Sequence, residues 1–156
     1  MLDYMKKEIY EGCIAVLKDE LVPAMSCTEP VAVAYAAALA RKTLGALPDS
    51  VKVAVSGNIL KNVKSVIVPN TDGIRGIPAA VAAGIVAGDA ELKLEVVSRI
   101  NEVDRTEICR YLSRGCISDE QSDTGCVFDI GISVVANGKS AYVRISGSHT
   151  NVVRIE

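Results

Sequence analysis

The chain has 156 residues, 49% of them hydrophobic and only 4% aromatic, with a formal net charge of −2. That length and apolar content exclude a disordered chain and suit one domain with a real core. The near-neutral charge, without any basic run, argues against a nucleic-acid surface. With Phe128 the only Phe and no Trp, the core is built from Ala, Val, Ile and Leu. The opening MLDYMKKEIYEG lacks the apolar stretch of a signal peptide, and no uncharged run is long enough to cross a bilayer as a helix, so a cytoplasmic location is expected. Five cysteines, an odd number with no C-x-x-C pair, read as thiols in a reducing compartment.

Leu2, Met5, Ile9, Cys13, Val16 and Leu17 recur at helical spacing, which predicts an amphipathic helix over 3–21 with Cys13 as a core thiol. A second helix is predicted over 29–44, with Pro30 in its first turn and Gly45 and Pro48 ending it. Its stretch VAVAYAAALA has no polar side apart from the Tyr35 hydroxyl and must be buried all round. One protein layer cannot cover such a helix, so an apolar patch and a homodimer are expected.

Cys27 stands at the mouth of this helix, in Ser26-Cys27-Thr28-Glu29-Pro30. Free N–H groups and the positive end of the helix dipole favour thiolate there, the form needed by a nucleophile or a metal ligand. Ser26 and Glu29 have capping-box spacing. A cysteine buried beside a cap is the alternative.

VKVAVSG alternates with period two and predicts a strand at 51–56, and SVIVP at 65–69 predicts another, with GNILKN as a polar turn between them. The loop Asn70-Thr71-Asp72-Gly73-Ile74-Arg75-Gly76 precedes a helix predicted over 77–87. Such a loop can aim N–H groups at an anion such as a substrate carboxylate, although it matches neither nucleotide-binding glycine motif and an ordinary strand-to-helix turn accounts for it too. Residues 90–99 and 104–114 read as two more helices. VFDIGISVVANGKSAYVRIS then gives a hairpin about Asn137-Gly138, where a type I′ turn needs positive φ, and VVRIE begins another extended run. The result is a single α+β domain over 1–156: two N-terminal helices, a mainly antiparallel sheet of about five strands and three further helices. A chain ending inside a strand reads as the N-terminal portion of a longer protein, with a short edge strand at a true C-terminus as the alternative.

His149, the only histidine, lies in Ser148-His149-Thr150-Asn151 and could act as a base or a hydrogen-bond donor if the fold brings a substrate to it. A Cys27–His149 hydrolase dyad has no local protease signature behind it. Cys109, Cys116 and Cys126 lack the C-x₂₋₄-C spacing of a zinc site.

Three ordered stretches, SCTEP before an alanine-rich helix, SGNILKNVKSVIVPNTDGIRG and SHTNVVRIE, resemble the N-terminal part of the L-cysteine desulfidase family, related to the alpha chain of iron–sulfur L-serine dehydratases. The resemblance implies a lyase that eliminates sulfide or water from L-cysteine or L-serine, giving pyruvate and ammonia. It implies a [4Fe–4S] cluster in the full-length enzyme, with Cys27 as a metal ligand or active-site thiol. It also implies that a C-terminal helical region carries the other cluster cysteines, so that this chain alone binds no cluster and is catalytically incomplete. By the same resemblance His149 joins Cys27 as catalytic, and Thr28, Asn58, Lys61, Asn62, Asn70, Thr71, Gly73, Gly76, Thr150 and Asn151 bind substrate. The expected partners are a small amino-acid substrate, the missing helical region or a separately encoded counterpart, and a second copy of the chain, with no nucleic acid and no membrane. A non-catalytic amino-acid-binding or interaction module, or half of a split enzyme, is the competing class.

Overall fold

A computed structural model describes residues 6–21, 23, 24 and 26–156. Positions 3–5 of the expected first helix, and Leu2, lie outside the described residues. The elements run α1 (Lys7–Glu20), α2 (Thr28–Leu44), β1 (Ser50–Val55), α3 (Gly57–Val63), α4 (Ile77–Ala87), a 3-10 helix (Ala90–Glu95), α5 (Glu102–Ser113), β2 (Ile117–Gln121), β3 (Asp129–Ala136), β4 (Lys139–Ser146) and β5 (Val152–Ile155). This is the expected α+β arrangement. Five strands form one sheet in the order β2-β1-β3-β4-β5, parallel only between β1 and β2.

The centre of the fold is α2. Val31 to Ala38 and Ala40 are all buried, because β3 and β4 cover one flank while α4 and the 3-10 helix cover the other. Alanine is what allows this: a side-chain layer one carbon deep lets a second backbone come close. At Gly84 of α4 even that carbon is excluded, since a Cβ there would stand 2.9 Å from Ala34 Cα and closer still to the Ala34 carbonyl oxygen. One turn on, a Cβ at Gly88 would stand 2.9 Å from Ala38 Cβ. The equal offset of these two contacts means that α2 and α4 run parallel, so their starts share one end of the molecule.

The sheet presents Val51, Val53, Val55, Ile130, Ile132, Val134, Val143 and Ile145, all buried, to the helices. Its other face carries Lys52, Ser133, Tyr142 and Arg144, with the Tyr142 hydroxyl occupying the space that a Cβ at Gly131 would need. The β3–β4 turn has the positive φ values expected of Asn137 and Gly138, 51° and 73°.

Several expectations are corrected. GNILKN is a helix, α3, because Ser56 caps it by accepting from the Ile59 N–H, and Ile59 and Val63 are buried. SVIVP contributes only an isolated bridge, Ile67 with Arg75, and the fifth strand is instead β2, whose sequence ISDEQ is polar and exposed along an edge. The helix expected over 90–99 is a 3-10 turn broken at Lys93, where φ is 48°. Cys13 is exposed on α1, as are Ile9, Tyr10, Val16 and Leu17, and so is no core thiol. The apolar patch expected on α2 is absent, because other elements of the chain cover the helix. Among the described residues no helix is long and apolar enough to cross a membrane.

Gly84→Ala should lower stability by about 1–3 kcal/mol, the range for overpacking a filled core. Gly12→Ala, where a Cβ meets nothing within 4 Å, should instead stabilise α1 by up to about 1 kcal/mol. Thermal unfolding of the two variants checks the pair, and an unchanged melting temperature for Gly84→Ala would mean that the helices are not in this contact.

Candidate functional site

Four segments meet where α2 begins. The chain enters through Cys27, the residue preceding the first helical position, so Cys27 and not Ser26 occupies the cap position and the expected capping box is absent. Glu29, in the first turn, turns its carboxylate back on the entry. It accepts from the Cys27 thiol at 3.0 Å, from the Thr28 hydroxyl at 3.5 Å and from the Asn62 amide of α3 at 3.3 Å. Asn62 is carried there because β1 runs straight into α3 through Ser56, whose hydroxyl also donates to the Val127 carbonyl at 2.8 Å. That bond ties α3 to the segment before β3, where Phe128 packs against His149 of the β4–β5 loop with ring centroids 4.6 Å apart and planes at 60°.

The electrostatics follow from these contacts. The thiol proton given by Cys27 is the main reason that the Glu29 carboxyl lies below its ordinary range; partial burial opposes this, while the Asn62 amide and the nearby charge of His149 add to it. Cys27 moves the other way. Partial burial, then the hydrogen bond to Glu29 and the charge of Glu29, push its thiol above the ordinary range. The expected preference for thiolate is therefore reversed, by partial burial first and by the carboxylate that shares the helix start second. The Nε2 atom of His149 is buried and, among the described residues, has no hydrogen-bond partner. The cluster thus combines a thiol held protonated and a carboxylate held ionised, near an imidazole nitrogen without a partner among the described residues.

Of the residues singled out in the sequence, Cys27, Thr28 and Asn62 come together on Glu29, while His149 stacks on Phe128 and reaches this corner only through the effect of its charge on the Glu29 carboxylate. Asn58 and Lys61 lie exposed on α3. Thr150 is half-buried in the His149 loop, and Asn151 closes that loop by donating to the Ser146 carbonyl at 2.8 Å. The Asn70–Gly76 loop is occupied with its own structure. The Asn70 amide donates to the Val97 and Ser98 carbonyls at 3.0 and 3.4 Å, and the buried Thr71 hydroxyl donates to the Val68 carbonyl at 2.7 Å. Gly73 and Gly76 supply φ of 91° and 90°, and the Gly76 N–H donates to the Val66 carbonyl. Gly76 does lie at the shared end of α2 and α4, although no hydrogen bond between described residues joins the loop to the Cys27 cluster. Glu29 and Phe128 are the site residues that sequence reasoning missed. In the sequence Glu29 stood out only as a capping-box partner of Ser26, not as a site residue.

The donor set does not fit an iron–sulfur cluster held by this chain. The neighbours of Cys27 are a carboxylate, a hydroxyl and an amide, not thiols. Cys109 lies on α5, Cys116 just before β2 and Cys126 in the β2–β3 loop. Among the described residues no group of three or more His, Cys, Asp or Glu side chains is placed to hold a metal ion.

No family model and no solved structure matches the chain. It is similar to a UPF0597 protein of Desulfitobacterium hafniense, 48% identical over 147 residues that make up 94% of this chain and 34% of the relative. A UPF0597 protein of Treponema denticola is 40% identical over 152 residues, 97% of this chain and 35% of the relative. One from Lachnoclostridium phytofermentans is 42% identical over 148 residues, 95% and 36%. The chain spans about a third of the length of the curated relatives it matches. These names correct the resemblance drawn from the sequence motifs: none of them connects the chain with the L-cysteine desulfidase family.

Glu29→Gln removes both the charge and the ionised acceptor that hold the Cys27 proton. Below the folded-state thiol pKa, the variant should therefore carry more thiolate and be alkylated several-fold faster at Cys27, as followed by mass spectrometry across pH. Equal or slower labelling of a folded Glu29→Gln chain would show that Glu29 does not set the protonation of Cys27.

Proposed function

We propose that the chain supplies the acid–base corner of an amino-acid lyase. The reaction is β-elimination from L-cysteine or L-serine, giving pyruvate and ammonia with sulfide or water. The observation that carries this reading is the convergence of the Cys27 thiol and the Asn62 amide on Glu29, with His149 near enough for its charge to act on that carboxylate and its Nε2 unpartnered among the described residues. Elimination needs a base for the α-proton and an acid for the leaving group, both working near neutral pH. His149 Nε2 takes the α-proton as the bond from Cβ to sulfur or oxygen breaks. The Cys27 thiol, held protonated by Glu29, gives its proton to the departing sulfide or hydroxide. Passage of the proton from His149 to the Cys27 thiolate restores both groups. The aminoacrylate that remains becomes its imine and takes up water to yield pyruvate and ammonia.

On this reading Cys27 acts as a proton donor and not as a nucleophile, which agrees with the direction of its shift. An iron–sulfur cluster, if the longer protein holds one, would supply Lewis acidity at the leaving group; no step above depends on it.

Nuclear magnetic resonance titration of the chain tests the reading. Millimolar L-serine should shift the side-chain signals of Asn62 and His149 while D-serine leaves them in place, and His149→Gln should abolish the difference. Identical responses to the two enantiomers, or none at either residue, would contradict an amino-acid site here.

A further inference from the structure

The opposite end of α2 carries a second arrangement that the proposed reaction does not use. Arg41 in the last turn of α2, and Arg110 and Arg114 at the end of α5, line one cavity of about 240 Å³. Three of the eight arginines of a chain with net charge −2 thus surround a single small space. Among the described residues one carboxylate, Glu107, shares it.

The donors of these side chains are far from used up. Arg41 donates through Nη1 to the Ile85 and Val86 carbonyls at the end of α4, and Arg110 donates through Nη1 to Glu107 at 2.6 Å. Those bonds engage one nitrogen of each guanidinium. Arg114 has no carboxylate partner among the described residues, and its guanidinium lies 5.4 Å from the centre of the Tyr111 ring. Tyr111 is itself fixed, buried with its hydroxyl donating to the Pro48 carbonyl at 2.9 Å. Opposing the dipole at the end of α5 would account for one basic residue in the last turn, but not for a third guanidinium brought from α2 to the same cavity.

From this geometry we infer that the cavity binds a dianionic phosphate group, either free phosphate or the phosphate of a small monoester. Guanidinium forks match phosphate oxygens in shape and charge, and three of them around one space exceed what Glu107 can neutralise. A larger groove beside the cavity shares Arg41 and Leu47 and offers room for the body of an ester. Arg41 lies fourteen positions beyond Cys27, about 21 Å along a helix, so the phosphate site is distinct from the Cys27 cluster and does not rest on the proposed reaction.

Isothermal titration of the purified chain with inorganic phosphate and with adenosine monophosphate tests the site. Saturable binding is expected for at least one of them, weakened about tenfold or more in Arg114→Gln and unchanged in Lys52→Gln on the far face of the sheet. Tighter binding of the monoester would assign the site to an ester, and equal binding to free phosphate. Arg114 is exposed, so the substitution should leave the fold intact, as circular dichroism can verify. No saturable heat with either probe, an affinity that Arg114→Gln leaves unchanged, or an equal loss in Lys52→Gln would overturn the inference.

Discussion

The close approach of α4 to α2 is the constraint on which the rest of the structure depends. Gly84 faces the Ala34 backbone and Gly88 faces Ala38, leaving no room for a Cβ at either position. Dispersion contacts this near are gained only where both helices give up side-chain bulk. The alanine-rich composition of α2 is therefore a packing requirement, and the scarcity of aromatic residues is part of the same solution. Once the two helices are locked in parallel, their starts face one end of the molecule and their ends the other. The inner face of the sheet closes the remaining side of α2, and Arg41 reaches across to the last carbonyls of α4.

This packing gives the Cys27 cluster its rigidity. Cys27 and Glu29 are fixed to the first turn of a helix that cannot shift without opening the core. Two electrostatic influences compete at that turn. A helix start favours a nearby anion by about 0.3–1 kcal/mol at an exposed position. A carboxylate accepting the thiol proton at 3.0 Å, together with loss of solvent around the sulfur, works in the opposite sense and prevails. The helix start thus holds the negative charge on Glu29, and the proton stays on Cys27.

What was legible in the sequence was what periodicity and punctuation encode. The α2 and α4 helices, the β1 strand and the Asn137-Gly138 hairpin follow from apolar spacing bounded by Gly and Pro. The misreadings have local causes. GNILKN looked like a turn because its one buried residue, Ile59, and the Val63 that follows it stand one helical turn apart, too short a pattern to show a period. ISDEQ carried no alternation because β2 is an edge strand whose pairing with β1 rests on backbone hydrogen bonds. SVIVP had the composition of a strand but no neighbour to pair with beyond one bridge. At the candidate site, the unusual position of Cys27 was visible. Its protonation was not, because that depends on a carboxylate whose orientation is fixed by Asn62 from another helix.

The account stands on α2 being fully covered by elements of this chain, and hydrogen–deuterium exchange of the isolated protein tests that most directly. If α4, the 3-10 helix and the sheet enclose α2 as described, the amides of Val31 to Ala40 exchange only through global unfolding, on the same time course as those of β3, while the amides of α1 exchange far sooner. If the α2 amides exchange as fast as those of α1, the helix is open to solvent in this chain, and neither the rigid Cys27–Glu29 corner nor the shared helix ends would follow.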